Sequence, residues 1–270
     1  MQCSFTIQTK KDCVHISHCS ADCPQQEKFE RHLHENYELL LLISGDVDYN
    51  IDGQNYSLRP FDLVFIPSLS YHFVKPKSNN VYENYVINFS HNFIDEARCN
   101  KLFVPPFIKN FSQDSKLRRM FFKFDYYYET YSPADFEEVS NWLINEILLF
   151  SCYASFDKEN LHPSTENSII PLITSYISDN LESDLNVDVL SRELCFSKSY
   201  IKNCFSNVMG VGIQHYINQK KIHAAHIDIL NGTDANRAAE KYGYRDYSSF
   251  YRQYMKIIGI SPSETKKQML

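Results

Sequence analysis

No stretch of the 270 residues approaches the 18 consecutive apolar residues of a membrane-spanning helix, so no helical span is expected. Met1 to Lys11 lack the apolar run of a secretory signal, which points to the cytoplasm. CxxC pairs are missing too. The eight cysteines are scattered and read as reduced thiols. Cys13, His15, His18, Cys19 and Cys23 fall within eleven residues, a set able to ligate zinc. Without CxxC spacing, the plainer reading is an extended arm leading into a sheet. A basic excess is absent as well: the net charge of -6 excludes a wholly basic nucleic-acid binder. The deficit is uneven. Residues 1–163 hold 15 Lys and Arg against 22 Asp and Glu, whereas residues 164–270 hold 12 against 11. Within the second part, 196–227 has four lysines and no acid, and 235–270 has seven basic residues against three acidic. The remainder, 43% hydrophobic and 22% charged, is the composition of an ordinary soluble protein with room for two domains.

The most informative stretch is a near-repeat. Ser191, Leu194, Phe196, Ile201, Phe205 and Gly210 return as Ala239, Tyr242, Tyr244, Phe250, Tyr254 and Gly259, at an offset of 48 and then 49 after one inserted residue. Each copy reads as a short helix, a break and a second helix, which is a helix-turn-helix. Between the copies, Ile213 to Leu230 keeps helical apolar spacing without Gly or Pro. Such a rod is about 27 Å long. It would hold two reading helices about one duplex turn apart, near 34 Å, so that one chain addresses two successive major grooves.

Residues 168–268 resemble the DNA-binding region of the AraC/XylS family of transcription regulators. The resemblance rests on Gly243-Tyr244, Ser248, Phe250, Tyr254 and Gly259-Ile260-Ser261-Pro262, with Tyr in place of two Phe. Lys221 stands where an Arg is usual, Cys195 where a small residue is usual, and Thr265 and Lys266 replace a Tyr and an Arg. In the first unit, Ile201, Cys204 and Phe205 are the expected anchors, leaving Lys198, Ser199, Lys202 and Asn203 outward. In the second, Phe250 and Tyr254 anchor while Tyr247, Ser248, Tyr251 and Arg252 face out and Asp246 caps the helix. The match to the family makes Ser199, Lys202, Asn203, Tyr247, Ser248 and Arg252 base readers. Lys suits guanine O6 and N7, Asn suits adenine, and the Arg fork fits guanine best. Lys198, Lys256, Lys266 and Lys267 are expected to touch phosphates, which position without specifying sequence.

Toward the N-terminus the pattern is β from Leu33 on: Tyr37 to Ile43, Val47 to Ile51, a hairpin signal at Asp52-Gly53, then Tyr56 to Leu58, Leu63 to Ile66, His72 to Val74 and Val81 to Phe89. Short strands at this rhythm make a small barrel or jelly roll. His32, His34, Glu38 and Gly45 match the first motif of cupins, and Asp62, Pro67 and His72 resemble the second, with Phe61 where a Gly is expected. On one strand His32, His34 and Glu38 would share a face, and His72 would join them from a neighbour. Metal-binding cupins hold a divalent ion with such a set, whereas AraC-type regulators use the fold as a sensor pocket. The resemblance therefore implies an effector site at His32, His34, Glu38 and His72, with a carbohydrate as the guess for effector and a divalent metal as the alternative ligand.

Two helices follow, Leu117 to Tyr131 and Asp135 to Tyr153. The second carries a stripe of Phe136, Val139, Trp142, Leu143, Ile147, Leu148 and Phe150. That stripe needs either the barrel wall or a second subunit, and both readings stand. A helix from Glu166 to Leu181 opens the DNA-binding region. The expected fold is thus α+β in two domains. Residues 1–154 form a cupin-like effector-binding and dimerisation domain (barrel about 28–90, helices about 114–153), 155–167 a linker, and 168–270 an all-α double helix-turn-helix. The expected function is a cytoplasmic, ligand-responsive transcription regulator without catalytic residues or a resident cofactor. Its partners would be promoter DNA, a small-molecule effector, a second copy of the chain and, for an activator, RNA polymerase. The alternatives are a cupin metalloenzyme, a dioxygenase or isomerase, with a helical appendage, and a regulator whose barrel only dimerises.

Overall fold

The structure is a computed structural model that describes residues 2–8, 14–25, 29–105, 107–111, 115–154 and 169–267. It contains two compact units, one holding most of residues 1–165 and the other most of 166–270. The expected linker, 155–167, and Cys13 lie outside the described residues. No helix among the described residues is long and apolar enough to cross a membrane.

Among the described residues, the first unit has nine strands: β1 (Gln2–Gln8), β2 (His15–Ala21), β3 (Tyr37–Ser44), β4 (Val47–Ile51), β5 (Gln54–Ser57), β6 (Asp62–Ile66), β7 (His72–Pro76), β8 (Tyr82–Phe89) and β9 (Ile108–Asn110). They form a six-stranded sheet in the order β1-β2-β8-β3-β6-β9 and a three-stranded sheet in the order β5-β4-β7. β3 shows how alternation divides its residues between two cores. Leu40 and Leu42 join Val47, Tyr49, Ile51, Val64 and Ile66 in one cluster. Leu39 and Leu41 face the other way and pack with Leu102, Phe121, Phe136 and Ile147 of the helices α1 (Glu96–Leu102), α2 (Ser115–Thr130) and α3 (Pro133–Tyr153). The Asp52-Gly53 hairpin forms as expected, with both residues at positive φ, 46° and 86°. Phe61, where the cupin motif has glycine, is also left-handed at φ 71°.

Several expectations are corrected. The sheet runs from Gln2 to Asn110 and not 28–90, because β1 and β2 join it. β1 is an edge strand whose only buried side chain is Phe5, so it offers no dense apolar run to read. The β1–β2 register sets Cys3 opposite Cys19, and the two form a disulfide, so those two cysteines are not reduced thiols. Among the described residues, the zinc-like set is broken. Cys19 is in that disulfide, and the His18 ring lies 2.7 Å from Asp125 Oδ1 and 2.9 Å from Glu83 Oε1, two carboxylates that accept from it and tie β2 to α2 and β8. His32 and His34 are not on a strand: only an isolated bridge at His32 precedes a bend at 35–36, and β3 begins at Tyr37. The α3 stripe packs into its own unit, with Phe136, Leu143, Ile144, Ile147 and Leu148 buried, while Trp142 is 66% exposed.

The second unit contains α4 (Ile170–Asp179), α5 (Val187–Glu193), α6 (Lys198–Met209), α7 (Ile213–Leu230), α8 (Ala235–Lys241), α9 (Tyr247–Ile258) and α10 (Pro262–Lys267). Capping chemistry fixes the boundaries. Asn186 accepts from the amides of Asp188 and Val189, Ser197 from Tyr200, Asp234 from Asn236 and Asp246 from Ser249. Gly210 and Gly259 close α6 and α9 in the left-handed conformation, at φ 72° and 85°.

Candidate nucleic-acid interface

The two copies of the repeat fold to the same plan. α5 and α8 have seven residues each, and α6 and α9 twelve each. The second helix of each copy is anchored at matching positions on α7. Phe205 meets Tyr216 edge-on, ring centroids 5.1 Å apart, and Tyr254 meets His226 at 5.7 Å. The Tyr254 hydroxyl lies 2.6 Å from His226 Nδ1 and 2.8 Å from Thr265 Oγ1. The hydroxyl that distinguishes Tyr254 from a phenylalanine is thus met by Thr265. Burial holds His226 below its ordinary pKa and, as the largest influence, pushes Tyr254 up to about 12.

With the apolar positions turned inward, Lys198, Ser199, Lys202, Asn203, Tyr247, Ser248, Tyr251 and Arg252 are all exposed. Lys198 is ion-paired to Asp188 of α5, Arg252 Nη2 donates to Ser249 Oγ at 3.2 Å, and the Tyr247 and Tyr251 rings lie 6.3 Å apart. Lys256, Lys266 and Lys267 are exposed as well. Cys204 is corrected as an anchor: it is only half-buried, and Met209 joins Ile201 and Phe205 in the buried row. Tyr200, 46% exposed beside Ser199, went unread, although a buried row at 201, 205 and 209 leaves position 200 outward. Such a surface can offer Lys, Arg and Asn donors to base edges and aromatic faces to thymine methyls.

The N-terminal candidates divide. His72 and Glu38 come together within the sheet unit, whereas residues 31–35, with His32 and His34, belong to the helical unit. Glu38, on β3, is buried. It accepts a hydrogen bond from Tyr49 at 3.3 Å and lies 3.6 Å from His72 Nε2, while His72 Nδ1 donates to the Ser70 carbonyl at 2.9 Å. Burial pushes the Tyr49 and Tyr82 hydroxyls well above their ordinary pKa, and the Glu38 charge adds to it in both. Tyr49 and Tyr82 were missed as companions of Glu38. The alternation of Val47, Tyr49 and Ile51 was the available signal for Tyr49.

Family models match both units: an AraC-like ligand binding domain over residues 16–124 and a helix-turn-helix domain over 190–268. Over 145 residues the chain is 28% identical to the uncharacterized HTH-type transcriptional regulator YtdP of Bacillus subtilis, a match covering 53% of this chain and 18% of that protein. It is 25% identical to the arabinose operon regulatory protein of Salmonella typhimurium, covering 85% of this chain and 83% of the relative. Among solved structures, ToxT from Vibrio cholerae aligns over 95% of this chain and 98% of its own, at 13% identity and a TM-score of 0.39. The chain belongs to the AraC family of helix-turn-helix transcriptional regulators.

Proposed function

We propose that this chain binds promoter DNA in a sequence-specific way through its two helix-turn-helix units and that a small molecule held by the sheet domain governs that binding. The observation that carries the proposal is the pair of matched units on one rod, both with polar outer faces. Lys202, Asn203 and Arg252 are the proposed principal readers, with Ser199, Tyr247, Ser248 and Tyr251 beside them. Selection of bound duplexes from a random library by the full-length chain tests it. Enrichment of a two-part sequence is expected, and recovery of unrelated sequences alone would refute sequence-specific reading. An effector shifts the balance only if it binds two states unequally. Because one relative is named for the arabinose operon, carbohydrates are the first class to screen by their effect on that DNA affinity.

Dimerisation is proposed through the outer side of α3. Trp142, Leu149 and Tyr153, 66%, 53% and 79% exposed, follow one another at helical spacing, and sedimentation of Trp142→Glu against the parent chain tests it. A second reading, a cupin-type metalloenzyme, is favoured by His72 Nε2 lying 3.6 Å from the Glu38 carboxylate, an imidazole and a carboxylate suited to zinc or iron. Metal analysis of the purified chain separates the two, with a stoichiometric ion supporting the enzyme reading.

A further inference from the structure

Lys221 is only 6% exposed, which is rare for a lysine on a helix of this size. An ammonium taken out of water needs acceptors. Its Nζ donates to the Ser183 carbonyl at 2.6 Å and to the Tyr242 carbonyl at 2.9 Å. Ser183 lies in the loop that leads to Asn186, the cap of α5. Tyr242 ends α8 and opens the turn into α9. One atom of the rod therefore holds the entry to the first helix-turn-helix and the turn of the second.

The approach is close because residue 243 is glycine. At φ +79°, a Cβ there would stand 3.3 Å from Lys221 Nζ. Two more pairs join the same segments, Lys241 with Glu182 and Arg245 with Asp184, each at 3.5 Å. Both are solvent-exposed and screened, so they contribute little. Lys221 also sits midway along α7 between Tyr216 and His226, the two points where the copies are anchored. Burial lowers its pKa, with the Asp184 charge opposing.

We propose that Lys221 is a positioning residue: its paired bonds to the Ser183 and Tyr242 carbonyls set the distance and angle between the two reading units, and hence the spacing of the sequence elements the chain recognises. The inference rests on the DNA-reading function proposed above. Without those bonds, each unit keeps its own anchor and its own reading face but loses its fixed relation to the other. Two linked modules gain from each other only where their geometry permits simultaneous contact.

The test uses the full-length chain, Lys221→Met and Lys221→Arg on duplexes carrying the two selected elements at spacings altered by one base pair in each direction. The parent chain is expected to lose about tenfold or more in affinity at either altered spacing. Lys221→Met should bind the best duplex more weakly and vary by only about threefold across spacings. Lys221→Arg, which keeps two donors, should restore the steep profile. A lysine that merely stabilises the fold would lower the active fraction at every spacing alike, so an unchanged profile in Lys221→Met overturns the inference. If Lys221→Met does not fold by circular dichroism, Lys221→Gln replaces it, with a profile of intermediate steepness expected and an unchanged one overturning the inference. Pulsed dipolar measurements between encoded spin labels at Tyr200 and Lys256 need no DNA. A distance distribution broader in the variant is expected, and equal widths overturn the inference while leaving the regulator reading intact. Failure of the parent chain to select any sequence would overturn the regulator reading, and the recognised spacing with it, whatever the labels report.

Discussion

The two helix-turn-helix copies share helix lengths, caps and terminal glycines, yet differ in how each is secured. The first is closed by apolar contact, Phe205 on Tyr216. The second is closed by a hydrogen-bonded chain from His226 through Tyr254 to Thr265. Their turns differ as well. The left-handed residue is Gly243 in the second copy but Cys195, at φ 59°, in the first. Duplication has preserved the scaffold, and polar chemistry and backbone strain have been distributed unequally between the copies.

The largest effect should come from the reading faces. Arg252→Ala is expected to lower affinity for the selected duplex by about 10- to 100-fold, as for a bidentate guanine contact. Its thermal unfolding should be unchanged, because Arg252 is exposed. Unaltered binding in a gel-shift titration would remove Arg252 from the readers. Next, Tyr254→Phe should cost about 1–2 kcal/mol by leaving His226 and Thr265 without their shared partner. Hydrogen exchange should speed up in α9 more than in α6; equal acceleration would show that the copies are secured alike.

The same polar anchor should make the second copy acid-sensitive. Burial holds the folded pKa of His226 below its unfolded value of 6.5. Its contribution is therefore complete above about pH 6.5 and is lost as pH falls through the folded pKa. Exchange in α9, corrected for intrinsic rates, should rise relative to α6 between pH 7 and pH 5.5, and His226→Gln should flatten the difference. Cys195→Gly is expected to stabilise the first copy by roughly 0.5–1 kcal/mol by relieving a left-handed side chain. A lower urea midpoint for that variant would show that the Cys195 side chain matters more than its strain. The smallest effect concerns Tyr244, whose buried hydroxyl has no hydrogen-bond partner among the described residues. Tyr244→Phe should change stability by less than about 1 kcal/mol, toward greater stability.

The helical unit was legible in the sequence because its signals are local. Helical periodicity, Ser, Asn and Asp caps and closing glycines lie within a few residues of the elements they define, and α7 has the span its spacing implies. The sheet unit was legible only where strands are dense in apolar residues. β1, with Phe5 alone buried, gave no such run, and its pairing with β2 depends on long-range register. The supposed strand through His32, His34 and Glu38 failed for a similar reason. A bend at 35–36 breaks the alternation on which a shared face depends, and no single residue type marks it. Phe61 is the opposite case: the motif asked for glycine, and the backbone there is left-handed without it.

What the sequence determined by itself was the duplicated plan, the rod between the copies and the residues left facing outward, because spacing along a helix dictates which side each residue occupies. Only the tertiary structure decided that Lys221 is buried, that Thr265 answers Tyr254, that Cys3 meets Cys19 and that α3 turns Trp142 outward. Each of these depends on which distant segments arrive at one place, and a polar or reactive side chain acquires its role from the partner it finds there.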